Sequence, residues 1–287
     1  MKAHLECIPC LLRQASEAIK MSTDDDVVRK ETLKEVMDYL LYENWDKTTS
    51  ELATKVHRIV KKNTGNEDPY KQLKEKYNKA ASELYPGLDL MVKNSEDRLL
   101  TAAKIAVAGN VIDLARGVDV DLRQEVQKVL ESEFAVNDLD LLERLALKSK
   151  NVLYLADNAG ETFFDKVLIK ELSKRGINVT YVVKGAPILN DATLQDAKIA
   201  GIDSIAAVTS TGTDSIGTLL DYCSKEFLMK FKNSELVISK GQANYESLSD
   251  VKDKKIFFLL KVKCPTIAED IGTRVGSLIL KGPSLRG

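Results

Sequence analysis

The sequence has few of the residues on which several kinds of catalytic site depend. It contains two histidines, His4 and His57, and both lie in its first half. A histidine base, a phosphohistidine or a histidine-rich zinc site therefore has little to draw on. The four cysteines, at positions 7, 10, 223 and 264, are too few and too scattered for a small domain stapled by disulfides. They indicate a reduced protein.

Long apolar runs and a net charge are also missing. No stretch approaches the roughly 18 apolar residues of a membrane span, and the first residues lack the apolar segment of a signal peptide. The 42 basic and 43 acidic side chains leave a net charge of -1, without the basic excess typical of nucleic-acid-binding proteins. We therefore expect a cytoplasmic protein that binds neither membranes nor nucleic acid.

The composition that remains is that of a globular protein. The 287 residues are 44% hydrophobic and 30% charged, which fits one large domain or two ordinary ones. From residue 1 to 150 the apolar side chains recur at helical spacing and predict an all-helical domain, a helical bundle. Most of the 15 glycines follow residue 150, where the pattern changes. The sequence thus predicts a second domain over residues 151–287.

Short apolar runs alternate with helix-length segments in this second part. The predicted strands are Val152–Leu155, Val179–Val183, Ser204–Val208, Leu236–Ile238 and Ile256–Leu260. The predicted helices lie near residues 161–175, 192–200 and 215–232. Such alternation is typical of a mainly parallel sheet covered on both faces. We expect a three-layer, doubly wound, Rossmann-like α/β/α domain.

Polar residues gather in the loops that follow these strands. In a doubly wound sheet, ligands bind beyond the carboxyl ends of the strands. Asp157 and Asn158 follow the first predicted strand and Asp191 follows the second, so together they offer a divalent cation three oxygen ligands. The alternative is that these residues cap the helices that come next. The convergence of the loops favours a metal site.

Lysines in the same loops indicate an anion-binding site. Lys184, Lys240 and Lys263 each lie close to a strand end, where an ammonium group can bind a phosphate. The glycine-rich loops of nucleotide triphosphatases and of dinucleotide-binding proteins are absent. With these motifs excluded, the residues favour metal-assisted attack on a phosphoester. Either water or Asp157 could be the nucleophile.

Six segments carry a resemblance that covers nearly the whole chain. They are Cys7-x-x-Cys10, Gly109–Asp113, Asp157–Glu161, Asn190–Thr193, Lys240–Glu246 and Lys261–Pro265. In these segments the sequence resembles the damage-control phosphatases, formerly grouped as a domain of unknown function. The N-terminal C-x-x-C and the short chain are similar to the prokaryotic branch of that family.

The resemblance implies a metal-dependent phosphatase that hydrolyses phosphomonoesters of small metabolites, either sugar phosphates or damaged phosphometabolites. It implies Mn²⁺ or Ni²⁺, with Co²⁺ or Mg²⁺ as alternatives, on the same Asp157, Asn158 and Asp191. It also implies that Lys263 meets the phosphate, although Leu260-Lys261-Val262-Lys263 departs from the R-T-x-K motif of the eukaryotic branch. Substrate contacts are implied for Gln242, Asn244, Tyr245 and Glu246.

Two features of the first half are candidates for the same site or for packing. Asn110 and Asp113 lie one turn apart on a predicted helix and could reach a substrate in a cleft between the domains. Cys7 and Cys10 could bind a soft metal, but a second C-x-x-C is missing. We interpret these two cysteines as packing residues.

Two other functions are compatible with the predicted fold. An adenosylmethionine-dependent carboxyl methyltransferase would bind its cofactor after chelation of metals, but Asp157-Asn158 stands where its glycine-rich loop is expected. A non-enzymatic metabolite-binding or metal-binding module would bind metal through Cys7 and Cys10 without turnover. The sequence indicates no oligomeric state.

Overall fold

The computed structural model describes residues 1–109 and 122–283. The helices of these residues are α1 Cys7–Ser22, α2 Asp26–Tyr42, α3 Thr49–Thr64, α4 Lys71–Asn94, α5 Arg98–Ala108, α6 Leu122–Glu131, α7 Leu139–Ser149, α8 Glu161–Lys174, α9 Leu194–Ile199, α10 Lys225–Asn233, α11 Gln242–Leu248 and α12 Pro265–Ile271. The strands are β1 Phe134–Asn137, β2 Asn151–Leu155, β3 Asn178–Val183, β4 Ala207–Ser210, β5 Leu236–Lys240, β6 Lys255–Lys261 and β7 Leu278–Lys281.

The seven strands form one sheet in the order β1-β7-β6-β5-β2-β3-β4. Neighbouring strands are parallel, except that β7 runs antiparallel to β6. The register pairs Leu155 of β2 with Val182 of β3 on one side and with Ser239 of β5 on the other. The predicted mainly parallel α/β sheet is confirmed.

Strand order reverses at β2, and this reversal positions the site. The chain runs outward from β2 to β3 and β4, and then returns to the other side of β2 to form β5. A crevice opens beyond the carboxyl ends of two strands at such a switch point, because their following loops turn to opposite faces. Here the crevice lies between the loops that follow β2 and β5.

Helices cover both faces of the sheet, as predicted. Alternate side chains of β2 enter opposite cores: Val152 and Tyr154 pack with α4, α5 and α8, whereas Leu153 and Leu155 pack with α10, α11 and α12. The period of two arises because successive side chains of a strand point to opposite faces. The arrangement therefore has three layers.

A third core joins α1, α2 and α3 to the loops at the edge of the sheet. Its buried residues include Leu11 of α1, Val36 of α2 and Leu52 of α3. Ile188, after β3, and Ile216, after β4, belong to the same core. The three helices therefore pack against loops that follow the strands, where they form one side of the candidate site.

The described residues up to position 150 are helical as predicted except for one short strand, which the sequence did not predict. Phe134–Asn137 forms the edge strand β1, which pairs with β7 at the other end of the chain. A four-residue strand whose partner is so distant in sequence leaves little trace in local periodicity. The two halves also share a core, since α5 packs on α8.

Two elements of the second half differ from their predicted bounds. Residues 202–204 form a 3-10 turn, and β4 begins only at Ala207. The predicted helix over 215–232 is limited to α10, because Gly217 adopts a left-handed φ of 66° and Ser224 caps the helix by accepting a hydrogen bond from the Phe227 amide. None of the helices in the described ranges is both long and apolar enough to cross a membrane.

Candidate active site

Asp157, Asn158 and Asp191 lie side by side at the switch point, as the sequence predicts. The Ala159 amide donates to the Asn190 carbonyl at 2.9 Å, and the Ala192 amide donates to the Asp157 carbonyl at 2.8 Å. These bonds make an antiparallel bridge between Asn158 and Asp191. The backbone itself thus joins the loops that follow β2 and β3 and fixes the spacing of the three side chains.

Helix capping, the alternative role for these residues, is served by others. The N-cap of α8 is Gly160, which has no side chain to cap with. The N-cap of α9 is Thr193, which forms a capping box with Asp196. Asp157, Asn158 and Asp191 are therefore not the N-caps of these two helices.

A glycine after β5 makes room for the Asp157 carboxylate. A Cβ atom placed on Gly241 would lie 1.9 Å from Oδ2 of Asp157. Gly241 also has a φ of 79°, a conformation that residues with a side chain rarely adopt. The loops after β2 and β5 are in contact here, so the carboxylate lies directly in the crevice.

Burial sets the electrostatics of the two carboxylates. It raises the pKa of Asp157 well above its ordinary value, and the negative charges of Glu161 and Asp191 raise it further, whereas Lys263 and Lys240 oppose the rise. Burial also raises the pKa of Asp191, against the charge of Lys184. Two buried carboxylates that repel each other favour a bound cation over two negative charges.

The donor atoms fit a hard divalent cation. Asp157 and Asp191 offer carboxylate oxygens, and the Nδ2 atom of Asn158 is used in hydrogen bonds, which leaves its amide oxygen for an ion. In the part of the chain that the structure describes, there is no group of three or more His, Cys, Asp or Glu side chains that could hold a metal. An ion here would need the Asn158 oxygen, with water and substrate as further ligands.

A pocket of about 380 Å³ opens above these residues. Its sheet wall consists of the strand-end residues Asp157, Asn158, Leu189, Asn190, Asp191, Ile216, Gln242, Ala243, Glu246, Lys263, Cys264, Pro265 and Thr266. Its helical wall consists of Glu6, Cys7, Cys10, Leu11, Arg13, Gln14, Thr49, Ser50 and Ala53. A volume of this size suits a small metabolite.

Three predicted substrate residues belong to the sheet wall. Gln242 accepts a hydrogen bond from the Lys263 amide at 3.0 Å and donates to Glu246 at 3.3 Å, so it connects the loops after β5 and β6. Burial raises the pKa of Glu246 to about 7, although hydrogen bonds from Gln242 and Ser50 oppose the rise. Lys263 is exposed on the same wall.

Lys240 does not reach the pocket, and its predicted contact with phosphate is corrected. Its side chain is fully buried, and its ammonium group pairs with Asp165 at 2.7 Å and Glu161 at 3.1 Å. The period of two along β5 explains this: Ile238 packs on the face covered by α8, and Lys240, two residues later, lies on the same face. The carboxylates it meets belong to α8.

Lys184, Asn244 and Tyr245 do not line the pocket either, contrary to their predicted substrate contacts. Lys184 is buried, pairs with Asp191 at 3.4 Å and donates to the Gly217 carbonyl. Asn244 donates to two backbone carbonyls that flank the site, and the Tyr245 hydroxyl donates to Asp270 at 2.6 Å. These three residues support the loops.

The residues of α1 and α3 that form the helical wall were not predicted to line the site. Cys7 and Cys10, interpreted as packing residues, are only partly buried and line the pocket. Arg13, one turn further along α1, is exposed on the same wall, and its guanidinium contacts the Cys10 sulfur at 3.6 Å. The three-residue spacing of these positions is the one signal that places them on a common helix face. Asn110 and Asp113 lie outside the described residues.

The fold and the site are those of an α/β protein that has two buried carboxylates at a topological switch point and a wall of helices on the other side of the pocket. Residues 3–279 match the damage-control phosphatase ARMT1-like domain. Because that match covers nearly the whole sequence, the chain belongs to this family.

Individual relatives agree with this assignment. The chain is 41% identical to an uncharacterized protein of Methanocaldococcus jannaschii, covering 98% of this chain and 95% of that protein. It is 35% identical to a damage-control phosphatase of Archaeoglobus fulgidus over 98% of this chain and 99% of that one. A crystal structure of a DUF89 family protein from Pyrococcus horikoshii superimposes with a TM-score of 0.91 at 32% identity, over 99% of this chain and 100% of that one.

Proposed function

We propose that this protein is a divalent-metal-dependent phosphatase that hydrolyses phosphomonoesters of small metabolites, such as sugar phosphates or damaged phosphometabolites. The observation that carries the proposal is the meeting of Asp157, Asn158 and Asp191 in a pocket that Lys263 also lines. The name of the A. fulgidus relative, a damage-control phosphatase, supports phosphatase chemistry.

The proposed cation is Mn²⁺ or Ni²⁺, with Co²⁺ and Mg²⁺ as alternatives. On the oxygens of Asp157, Asn158 and Asp191 it would polarise the phosphoryl group and orient the attacking water. The two carboxylates come from loops joined by backbone hydrogen bonds, so little rearrangement is needed to bind it.

Lys263 has the position to stabilise the charge that develops on the phosphoryl oxygens. Its charge lowers the pKa of Asp157, so its ammonium group acts on the place where the cation and the phosphate would meet. Gln242 accepts the hydrogen bond of the Lys263 amide and thereby holds this segment at the pocket. A fixed positive group at the site of developing charge lowers the barrier without reorganisation of solvent.

A screen for release of inorganic phosphate tests the proposal. It would use a panel of sugar phosphates and other phosphomonoesters with each of the four metals, before and after chelation. We expect Asp157→Ala to reduce kcat/KM by at least about 100-fold, because a catalytic metal supplies several kcal/mol. The control Asp253→Ala removes an exposed carboxylate just before β6, at the opposite edge of the sheet, and should retain the parent rate.

Failure of the screen has a defined meaning. If no metal releases phosphate from any compound of a broad panel, the phosphatase proposal is wrong and the chain is better described as a metabolite-binding or metal-binding module. Binding of adenosylmethionine that persists after chelation would instead favour the methyltransferase.

The nucleophile can be identified in the same system. Attack by water leaves the protein unmodified during turnover, whereas attack by the Asp157 carboxylate adds a phosphoryl group to that residue and releases the alcohol. Acid quenching of a single turnover, followed by mass measurement of the peptide that contains Asp157, separates the two routes.

A further inference from the structure

A buried network of charges lies directly behind the candidate metal site. The ammonium of Lys240 bonds to Asp165 Oδ1 at 2.7 Å and to Glu161 Oε2 at 3.1 Å. The hydroxyls of Tyr154 and Tyr181 donate to Asp165, each at 2.7 Å. Lys240 and Asp165 have no exposed surface, and Glu161 is 3% exposed. Buried groups paired in this way hold one arrangement, since every lost bond leaves a costly unpaired group.

Glu161 connects this network to Asn158. One of its oxygens, Oε2, accepts from Lys240, while the other, Oε1, accepts from Nδ2 of Asn158 at 2.6 Å. A carboxylate has acceptors and no donor, so it can bind the nitrogen of the Asn158 amide and not the oxygen. Nδ2 also donates to Asp157 at 3.1 Å. Both neighbours therefore demand the same orientation of the amide.

We propose that Glu161 is a positioning residue that fixes the amide of Asn158 with its oxygen, and not its nitrogen, toward the bound cation. The inference rests on the proposed function only in requiring that a divalent cation binds at Asp157, Asn158 and Asp191. An amide turned the other way would point two N–H groups at a positive ion. Outer residues that orient metal ligands in this manner commonly change metal affinity by about 10- to 100-fold when they are replaced.

Substitution Glu161→Gln tests the orientation with little change in shape. Lys240, which can only donate, will bind the oxygen of the new amide and leave its NH₂ group facing Asn158. That group requires an acceptor, so the Asn158 amide turns and withdraws its oxygen from the cation. We expect the dissociation constant of Mn²⁺, measured by calorimetry on chelator-treated protein, to rise by about 10- to 100-fold.

Asp165→Asn is the matched control. It removes the same charge from the same buried ion pair with Lys240, but the hydrogen bonds of Asp165 go to Tyr154, Tyr181 and Lys240 and not to Asn158. We expect this variant to lose thermal stability while its affinity for Mn²⁺ stays within about threefold of the parent, because the ligand amide remains fixed.

A second substitution separates orientation from general damage. In the double variant Glu161→Gln, Asn158→Asp, the new carboxylate offers one oxygen to the Gln amide and the other to the cation, while the summed charge of the two positions is unchanged. We expect affinity to return to within about threefold of the parent. If Glu161 affected metal binding only through the stability of the fold, the second substitution would not restore the affinity for Mn²⁺.

The outcomes are distinct. A parent protein that binds no Mn²⁺ overturns both the proposed function and this inference. A parent that binds Mn²⁺ leaves the proposed function in place, and the inference is then wrong if Glu161→Gln binds equally well or if Asp165→Asn loses as much affinity. It is also wrong if the folded double variant, verified by circular dichroism, stays as weak as Glu161→Gln.

Discussion

The two walls of the pocket are built in different ways. Backbone hydrogen bonds between strand-end loops hold the sheet wall, as at Ala159 and Ala192. The helical wall is attached through side chains: Ser50 donates to the Ala243 carbonyl at 3.2 Å, and the Ile216 amide donates to Thr54 at 2.9 Å. We therefore expect the sheet wall to carry the chemistry and the helical wall to select the substrate.

We expect the largest effect on the sheet wall from a side chain at Gly241. Gly241→Ala places a Cβ atom 1.9 Å from the Asp157 carboxylate at a φ of 79°, so Asp157 must move, and we expect the proposed binding of metal to be lost. We expect a decrease of about 3 kcal/mol or more in the free energy of unfolding, measured with denaturant.

Gly272→Ala separates backbone conformation from the clash. Gly272 has a φ of 78° and no atom within 4 Å of an added Cβ, so only the left-handed backbone is penalised. We expect a loss of about 1 kcal/mol with Mn²⁺ binding intact. Equal effects of the two substitutions would show that contact with Asp157 is unimportant.

Glu246 lies where the two walls meet. It belongs to the sheet wall and accepts a hydrogen bond from Ser50 of the helical wall at 3.4 Å. Burial raises its pKa to about 7, above that of the unfolded chain, so the folded state binds the proton more tightly. The contribution of Glu246 to the free energy of unfolding is therefore greatest below about pH 4, and it declines as the pH rises through about 7. We expect Glu246→Gln to be more stable than the parent by about 2 kcal/mol at about pH 8 and equal to it at about pH 4.

Denaturant unfolding at several pH values measures this difference. Glu269→Gln, which removes an exposed carboxylate on α12, should leave the pH dependence of stability unchanged. If the free energies of unfolding of the parent and of Glu246→Gln change with pH in the same way, the position of the carboxylate between the two walls does not destabilise its charged form.

Substitution of Arg13 tests whether the helical wall selects the substrate. Within residues 1–109 and 122–283, its guanidinium forms no ion pair and its one hydrogen bond is to the Cys10 sulfur, so it can bind a polar or anionic group of a substrate. We expect Arg13→Ala to raise KM by about 3- to 10-fold and to change kcat by less than about twofold, because uniform binding is lost. Steady-state kinetics with Lys20→Ala, on an exposed position of α1, provide the comparison; a fall in kcat alone would place Arg13 in the chemistry.

The smallest effect is expected at the two cysteines of α1. Thr49 donates to the Cys7 sulfur and Gln14 donates to the Cys10 sulfur, each at 3.3 Å, and a serine hydroxyl can accept both bonds. We expect the double variant Cys7→Ser, Cys10→Ser to retain phosphatase activity within about twofold and to bind Mn²⁺ unchanged. Loss of metal binding would contradict this and favour the thiol-based binding module.

Much of the sheet wall could be predicted because it depends on short-range patterns. Apolar runs locate β2 and β3, and the ends of parallel strands must meet at one edge, which brings Asp157 and Asp191 together. The sequence did not predict whether a long side chain near a strand end is buried or lines the pocket. Lys240 and Lys263 both lie near strand ends, yet one is buried under α8 and the other lines the pocket. Lys240 is the last residue of β5 and lies on the face of the sheet that α8 covers, whereas Lys263 lies two residues beyond the end of β6.

The helical wall could not be predicted in the same way. The spacing of Cys7 and Cys10 places them on one face of α1, but the direction of that face depends on how α1 packs against α3 and against Ile188 and Ile216. Those contacts join residues far apart in the sequence. The missed strands β1 and β7 share this cause, since each is short and β1 is stabilised by a partner at the other end of the chain.

The pairing of β1 with β7 constrains how this protein can diverge. Exchange of the first 150 residues with those of a distant relative would replace the strand that covers β7 and the α5 surface that packs on α8. Mismatched halves would expose a strand edge that invites aggregation. We therefore expect substitutions at the contacts between β1 and β7 and between α5 and α8 to be matched across the two halves of the chain.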